Sequence, residues 1–253
     1  MNRQVESRDA QIDGDILVAC DRAGRTYGRG PTAVVAVHDA TCTVTQGNQI
    51  AMMGQSGSGK STLLHMLAGL DAPTSGHVTW PGIGNRDALR PGPVGMIFQA
   101  PSLLAPLDVT ENVALPLLLL GEDETIARQR ALDALDVLEL QVLANKLPEE
   151  LSGGQSQRVA IARVLASRPR LILADEPTGQ LDHGTGDQVI GALLEAAFES
   201  GAALLVSTHD PSVAARFAIR WTMRDGRLTT NTTPDHTPGP QGPETAIVAA
   251  VPR

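Results

Sequence analysis

The chain has 253 residues, 42% of them hydrophobic, and a formal net charge of −8. That is enough for one well-buried α/β domain or two small ones. An acidic chain (pI about 5.2) whose Lys and Arg are scattered is a poor direct reader of nucleic acid, so no nucleic-acid partner is expected.

The first stretch, "MNRQVESRDAQIDGD", is polar and lacks the apolar run of a secretory signal. Residues 1–14 read as a flexible arm, 15–228 as the folded domain, and 229–253, rich in Thr, Pro and Gly, as a disordered tail. Cys20 and Cys42 have neither metal-ligand spacing nor a disulfide framework and read as small buried hydrophobes in a reducing compartment. "RTYGRG" sets the single tyrosine, Tyr27, in a polar turn. "QIAMM" (Gln49–Met53) is a short apolar run that reads as a buried strand. It leads into "GQSGSGKST", Gly54–Thr62, and then into the helical pattern "STLLHMLAGL".

Strand, glycine-rich loop, Lys-Ser and helix together form a phosphate cradle. The loop Gly54, Gln55, Ser56, Gly57, Ser58, Gly59, Lys60, Ser61 and Thr62 turns backbone N–H groups toward the β- and γ-phosphates of a nucleotide. Lys60 adds a point charge, and the Ser61 hydroxyl ligates Mg²⁺. With a nucleotide implied, the Tyr27 ring offers a stacking face for adenine.

Further apolar runs read as buried strands: "VGMIF" (Val94–Phe98), "LILA" (Leu171–Ala174) and "ALLVS" (Ala203–Ser207). Helical patterns alternate with them, including "TIARQRALDALDVLEL" (Thr125–Leu140) and "GDQVIGALLEAAFES" (Gly186–Ser200), which argues for a mostly parallel sheet. Asp-Gly between two β-like runs in "RWTMRDGRLTT" predicts a terminal hairpin. The four buried strands are followed by Gly54, Gln99, Asp175 with Glu176, and Thr208 with His209. In open α/β sheets ligands bind at the carboxyl ends of the strands. Asp175 and Gln99 are therefore expected at the Mg²⁺, with Gln99 also on the attacking water. Glu176 is expected to orient and polarise that water, and His209 to steady it or the γ-phosphate.

A second phosphate loop opens the helix "ELSGGQSQRVAIARVLASRP". The groups above already surround one triphosphate, so this loop is expected to read the γ-phosphate held by another copy. Two chains, head to tail, would sandwich two ATPs, each phosphate loop covered by the other chain's Ser152, Gly153, Gly154 and Gln155. A plain helix cap at Ser152 explains the serine but not two glycines followed by glutamine.

Tyr27, "GQSGSGKST", Gln99, "LSGGQ", "LILADEP", "GQLD" and "STHD" follow the order and approximate spacing of an ABC transporter nucleotide-binding subunit, and the chain resembles that family over nearly its whole core. The resemblance implies a P-loop NTPase of the α/β class. It has a RecA-like core, a small N-terminal antiparallel β-subdomain and a helical subdomain over about 102–166 carrying the signature loop. It implies ATP hydrolysis, a homodimer, and Asp182 in a loop that crosses the dimer interface. "RTYGRG", "AVHDA", "STLLHMLAGLDAPTSG", "DVTENVALPL" and "ADEPTGQLD" are similar to the lipoprotein-releasing, macrolide-exporting and cell-division branch. That branch works with a separate four-helix permease bearing an extracytoplasmic domain. Gln180, where the branch usually has asparagine, and a shortened 76–99 stretch are departures.

The most apolar run, "VALPLLLL", is far short of the ~20 residues of a membrane helix. The expected location is therefore cytoplasmic, peripheral on the membrane through the permease. The helix carrying Leu117 and Leu118 is expected to form the docking groove. A DNA-repair or ribosome-acting ABC ATPase would need a long coiled coil or a second cassette. A P-loop kinase or GTPase would not need "LSGGQ".

Overall fold

The computed structural model describes residues 15–231. The expected N-terminal arm, and the expected tail from residue 232 on, lie outside the described residues. Thr229, Thr230 and Asn231, assigned to the tail from sequence, instead continue the last strand.

Among the described residues, nine strands form one sheet in the order β4-β1-β2-β9-β8-β3-β7-β6-β5. The long pair β1 (Ile16–Tyr27) and β2 (Val34–Thr45) is antiparallel, and β4 (Ser75–Thr79) adds to its outer edge. This antiparallel section joins the rest through one bridge, His38 opposite Arg227. β3 (Gln49–Met53), β5 (Val94–Ile97), β6 (Leu171–Asp175) and β7 (Ala203–Thr208) are parallel. β8 (Ile219–Arg224) runs parallel to β3 and turns into β9 (Arg227–Asn231). Asp225 (φ 48°) and Gly226 (φ 73°) both sit in the left-handed region, as a two-residue hairpin that follows the strand twist requires.

The apolar runs are explained by burial on both faces of the parallel section. In β6, Leu171 and Leu173 face one core while Ile172 and Ala174 face the other. β7 repeats this with Ala203 and Leu205 against Leu204 and Val206. Helix α1 (Lys60–Leu67) packs with the β1–β2 hairpin on one side. The other side holds α2 (Val109–Leu119), α3 (Glu124–Val137), α4 (Gly153–Ala166) and α5 (His183–Ser200). The short α6 (Pro211–Ala215) follows β7.

Helix ends depart from the periodicity for local reasons. α3 stops at Val137, before Leu140, and Glu139 leaves the helix at φ 55°. α5 begins three residues early because Asp182 caps it, accepting from Thr185 N at 3.0 Å. Cys20 and Cys42 are buried, free and directly opposite in the β1–β2 register.

Candidate functional site

β3 ends at Met53 and the glycine-rich loop follows. Gly57 (φ 77°) and Gly59 (φ 101°) take left-handed conformations. A Cβ on Gly59 would lie 2.3 Å from the Ala36 carbonyl oxygen of β2, so the loop lies hard against that strand. A Cβ on Gly57 would meet nothing within 4 Å, so the loop is open there. Lys60, 4% exposed, turns back across the loop and donates to the carbonyls of Gly54 (2.8 Å) and Gln55 (3.1 Å). Ser58 Oγ is buried with no protein partner. Gln55, Ser56 and Ser61 are exposed and Thr62 is half-buried at the start of α1, whose first-turn N–H groups have no intrahelical acceptor. Open amides, a buried ammonium and an unmet hydroxyl suit a phosphate.

The register places the other groups along one edge. β3, β7, β6 and β5 are successive neighbours, with Met53 opposite Thr208, Asp175 opposite Ser207, and Ile97 opposite Ala174. Gln99, exposed, is two residues past that last pair. Buried Asp175 accepts from Ser207 Oγ at 2.6 Å, which leaves its second oxygen available. Glu176 is left-handed (φ 46°), and its N–H is held by Ser207 through both the carbonyl (3.1 Å) and Oγ (3.0 Å). Its carboxylate bridges two groups: Oε1 is 3.2 Å from Lys60 Nζ, and Oε2 is 3.1 Å from His209 Nδ1. An ionised carboxylate only accepts, so Nδ1 of His209 carries the hydrogen. Lys60, Glu176 and His209 thus form one chain of contacts beside Asp175.

The signature loop stands apart from this chain of contacts. Ser152 caps α4 in a reciprocal box: its Oγ accepts from Gln155 N (3.2 Å), and Gln155 Oε1 accepts from Ser152 N (2.9 Å). A cap therefore explains the glutamine as well as the serine, contrary to the sequence reading, and only the two glycines are left over. Gly153 and Gly154 lie beside the loop after β6: a Cβ on Gly153 would come 3.8 Å from Gln180 Oε1, and one on Gly154 3.1 Å from Leu181 Cδ2. Asp182 is spent on the α5 cap, and the Thr185 hydroxyl and N–H hold its carboxyl below the usual range. Tyr27 ends β1, 41% exposed, with its hydroxyl on Asp71 and the Arg25 guanidinium over its ring.

Sequence reasoning passed over Ser207, although "STHD" contains it, and Gln157. The latter is 1% exposed and donates from Nε2 to the Phe98 carbonyl at 3.0 Å, tying α4 to the strand end just before Gln99. Nothing in its spacing marked it. Leu117 is fully buried in the helical core, whereas Leu118, Leu119 and Leu120 are exposed. Of the two leucines expected in the docking groove, Leu117 is therefore a core residue and only Leu118 is at the surface. Among the described residues no helix is long and apolar enough to cross a membrane. No group of three or more His, Cys, Asp or Glu side chains among the described residues is placed to hold a metal ion.

Residues 37–179 match the family described as ABC transporter. A dimeric structure of the ATP-binding cassette MJ0796 in a post-hydrolysis state, bound to ADP and Pi, is 37% identical, with a TM-score of 0.78 over 84% of this chain and 96% of that one. A second dimeric structure of MJ0796, described as a bacterial ABC transporter cassette, matches equally well. CbiO1 from Clostridium perfringens, part of the ABC transporter complex cbiONQ, is 28% identical, with a TM-score of 0.73 over 85% of this chain and 87% of that one.

Proposed function

Because the chain belongs to the ABC transporter family and is an ABC-type ATPase, we propose that two copies close head to tail around two ATPs and drive a separate membrane permease. In each site Lys60 and the loop amides hold the phosphates. Ser61, Asp175 and Gln99 would hold Mg²⁺, which neutralises charge on the phosphate oxygens. So few protein oxygens suit an ion that keeps several waters and shares its shell with phosphates, and no all-protein cage is needed. Glu176 orients the attacking water and accepts its proton, while His209 fixes the Glu176 carboxylate. Ser152, Gly153 and Gly154 complete the partner's site at the γ-phosphate, and Asp182 lies at the seam between copies.

The observation that carries this reading is the contact of Glu176 with Lys60 and His209 at the edge formed by β3, β7 and β6. It puts a candidate base beside the phosphate-holding ammonium. Two dimeric structures of one relative, and a second relative named as part of a transporter complex, support the partners. The branch resemblance leaves export, lipoprotein or lipid-phase extrusion, and mechanotransmission as the permease's task, and each requires docking on a four-helix permease at the cytoplasmic face. The exposed leucines closing α2, with Leu119 67% exposed, are the surface for it. Leu118→Asp with Leu119→Asp should keep ATP turnover and thermal melting while losing co-purification with the permease of the neighbouring gene. Unchanged co-purification rejects this docking surface.

A further inference from the structure

We propose that Arg25 and Asp71 are positioning residues that clamp Tyr27 as a one-faced platform for the adenine base and tie that platform to the phosphate loop through α1. The proposal rests on Tyr27 reading the base and says how the ring is made to do so.

Tyr27 is the last residue of β1 and is partly exposed, a place where a ring would ordinarily turn freely. Here it is held at two points. Its hydroxyl donates to Asp71 Oδ2 at 2.8 Å, and the Arg25 guanidinium carbon lies 4.7 Å from the ring centroid. Arg25 is in turn held by a fork: Nε donates to Asp71 Oδ2 at 2.9 Å and a terminal nitrogen to Oδ1 at 2.8 Å. Ala72 N donates to the same Oδ1 at 2.8 Å, which fixes the carboxylate. One carboxylate therefore sets both the tilt of the ring and the cation beneath it. With Arg25 on one face, a single face is left for a base. Arg25 and Tyr27 are two apart on a strand, so both project from the same side.

The anchor is connected to the phosphate site by the chain itself. α1 begins at Lys60 and is eight residues long, about 12 Å, and Asp71 lies in the turn after it. That turn is stapled to β1 again: Thr26 N donates to Thr74 Oγ1 (3.1 Å), and Thr74 Oγ1 donates to the Gly24 carbonyl (3.2 Å). On the other side, Tyr27 pairs with Val34, two residues along β2 from Ala36, whose carbonyl abuts Gly59. The base platform and the phosphate loop are therefore fastened to each other at both ends of α1. The Asp71 carboxyl lies below its usual range. Burial raises it, but the Tyr27 hydroxyl, the Ala72 N–H and the Arg25 charge outweigh that.

The Arg25–Asp71 pair is partly buried, each side chain 23% exposed, so each variant's melting temperature is read beside its affinity. The selective loss of ATP over a base-free ligand is what separates a freed ring from a weakened fold. The test compares affinities for ATP and for inorganic tripolyphosphate, which lacks a base, by calorimetry on the full chain. Asp71→Ala and Arg25→Ala should each weaken ATP about fivefold and leave tripolyphosphate unchanged. Tyr27→Ala should weaken ATP more, again sparing tripolyphosphate. Should Asp71→Ala fail to fold, Tyr27→Phe removes the same anchor and should show the same selective loss. If Tyr27→Ala weakens ATP while the clamp variants bind it normally, the clamp is overturned and the base reading stands. If Tyr27→Ala has no effect, the base reading falls and the clamp with it. Equal loss of both ligands in the clamp variants also overturns the proposal, because it marks a displaced phosphate loop.

Discussion

Glu176→Gln should tighten ATP binding while it abolishes turnover. Lys60 Nζ, almost fully buried, contacts Glu176 Oε1 at 3.2 Å, and the carboxylate is itself largely buried. At that distance and an effective dielectric near 20, the gross attraction is about 5 kcal/mol. Much of it is offset by desolvation, by the two loop carbonyls that keep their bonds to Lys60, and by the dipole the amide retains. A net loss of about 1–2 kcal/mol remains. A phosphate taking Lys60 has to displace Glu176, so what the pair contributes to the nucleotide-free protein is what ATP must overcome. The variant should therefore unfold at lower urea by about 1–2 kcal/mol and bind ATP about 5- to 30-fold tighter, through one cause. Calorimetric titration with EDTA present prevents turnover by the unaltered enzyme, and urea unfolding of the same samples supplies the stability. Unchanged stability together with unchanged or weaker affinity would refute a Lys60 shared between Glu176 and phosphate.

Ser207→Ala removes the 2.6 Å bond to the Asp175 carboxylate and the Oγ acceptor of Glu176 N–H. The expected loss is about 2 kcal/mol, seen as a melting temperature lowered by about 4–8 °C together with slower ATP turnover; an unaltered melt contradicts the assignment. Asp182 titrates below its ordinary value of 3.8 because it accepts from Thr185. A depressed carboxyl stabilises the fold above the unfolded value and loses that contribution as pH falls through the folded one. The melting difference between the unaltered protein and Asp182→Asn, which keeps the cap but not the charge, should thus be constant above about pH 5 and shrink below about pH 4. A difference that changes between pH 8 and 6 would rule this out.

The parts legible in the sequence were those encoded locally. β3 runs from Gln49 to Met53 as its apolar run indicates, and the Asp-Gly of the hairpin fixes the turn at Asp225 and Gly226. β6 and β7 each extend one residue beyond the expected end, to Asp175 and Thr208, because the sheet register pairs Asp175 with Ser207 and Met53 with Thr208. The pairs that shape the candidate site join residues far apart in the chain: Ser207 to Asp175, Tyr27 to Asp71, Glu176 to Lys60. No period or spacing carries such pairs, because they arise only when strand order brings the ends together. The box between Ser152 and Gln155 is different. Its Ser-x-x-Gln pattern was present in the sequence and is a known start signal for a helix, and weighing a cap at Ser152 alone, without its reciprocal partner Gln155, missed it.

The central claim is that the signature loop of one copy reads the γ-phosphate held by the other. Light scattering in ATP and Mg²⁺ tests it, with Glu176→Gln as the background in which hydrolysis cannot separate the copies. Glu176→Gln should reach twice the mass of the 26.5 kDa chain. Adding Ser152→Arg places a bulky cation at the loop, and that protein should bind ATP yet remain at the mass of one chain. An ATP-dependent dimer that forms equally well with Ser152→Arg would contradict the account.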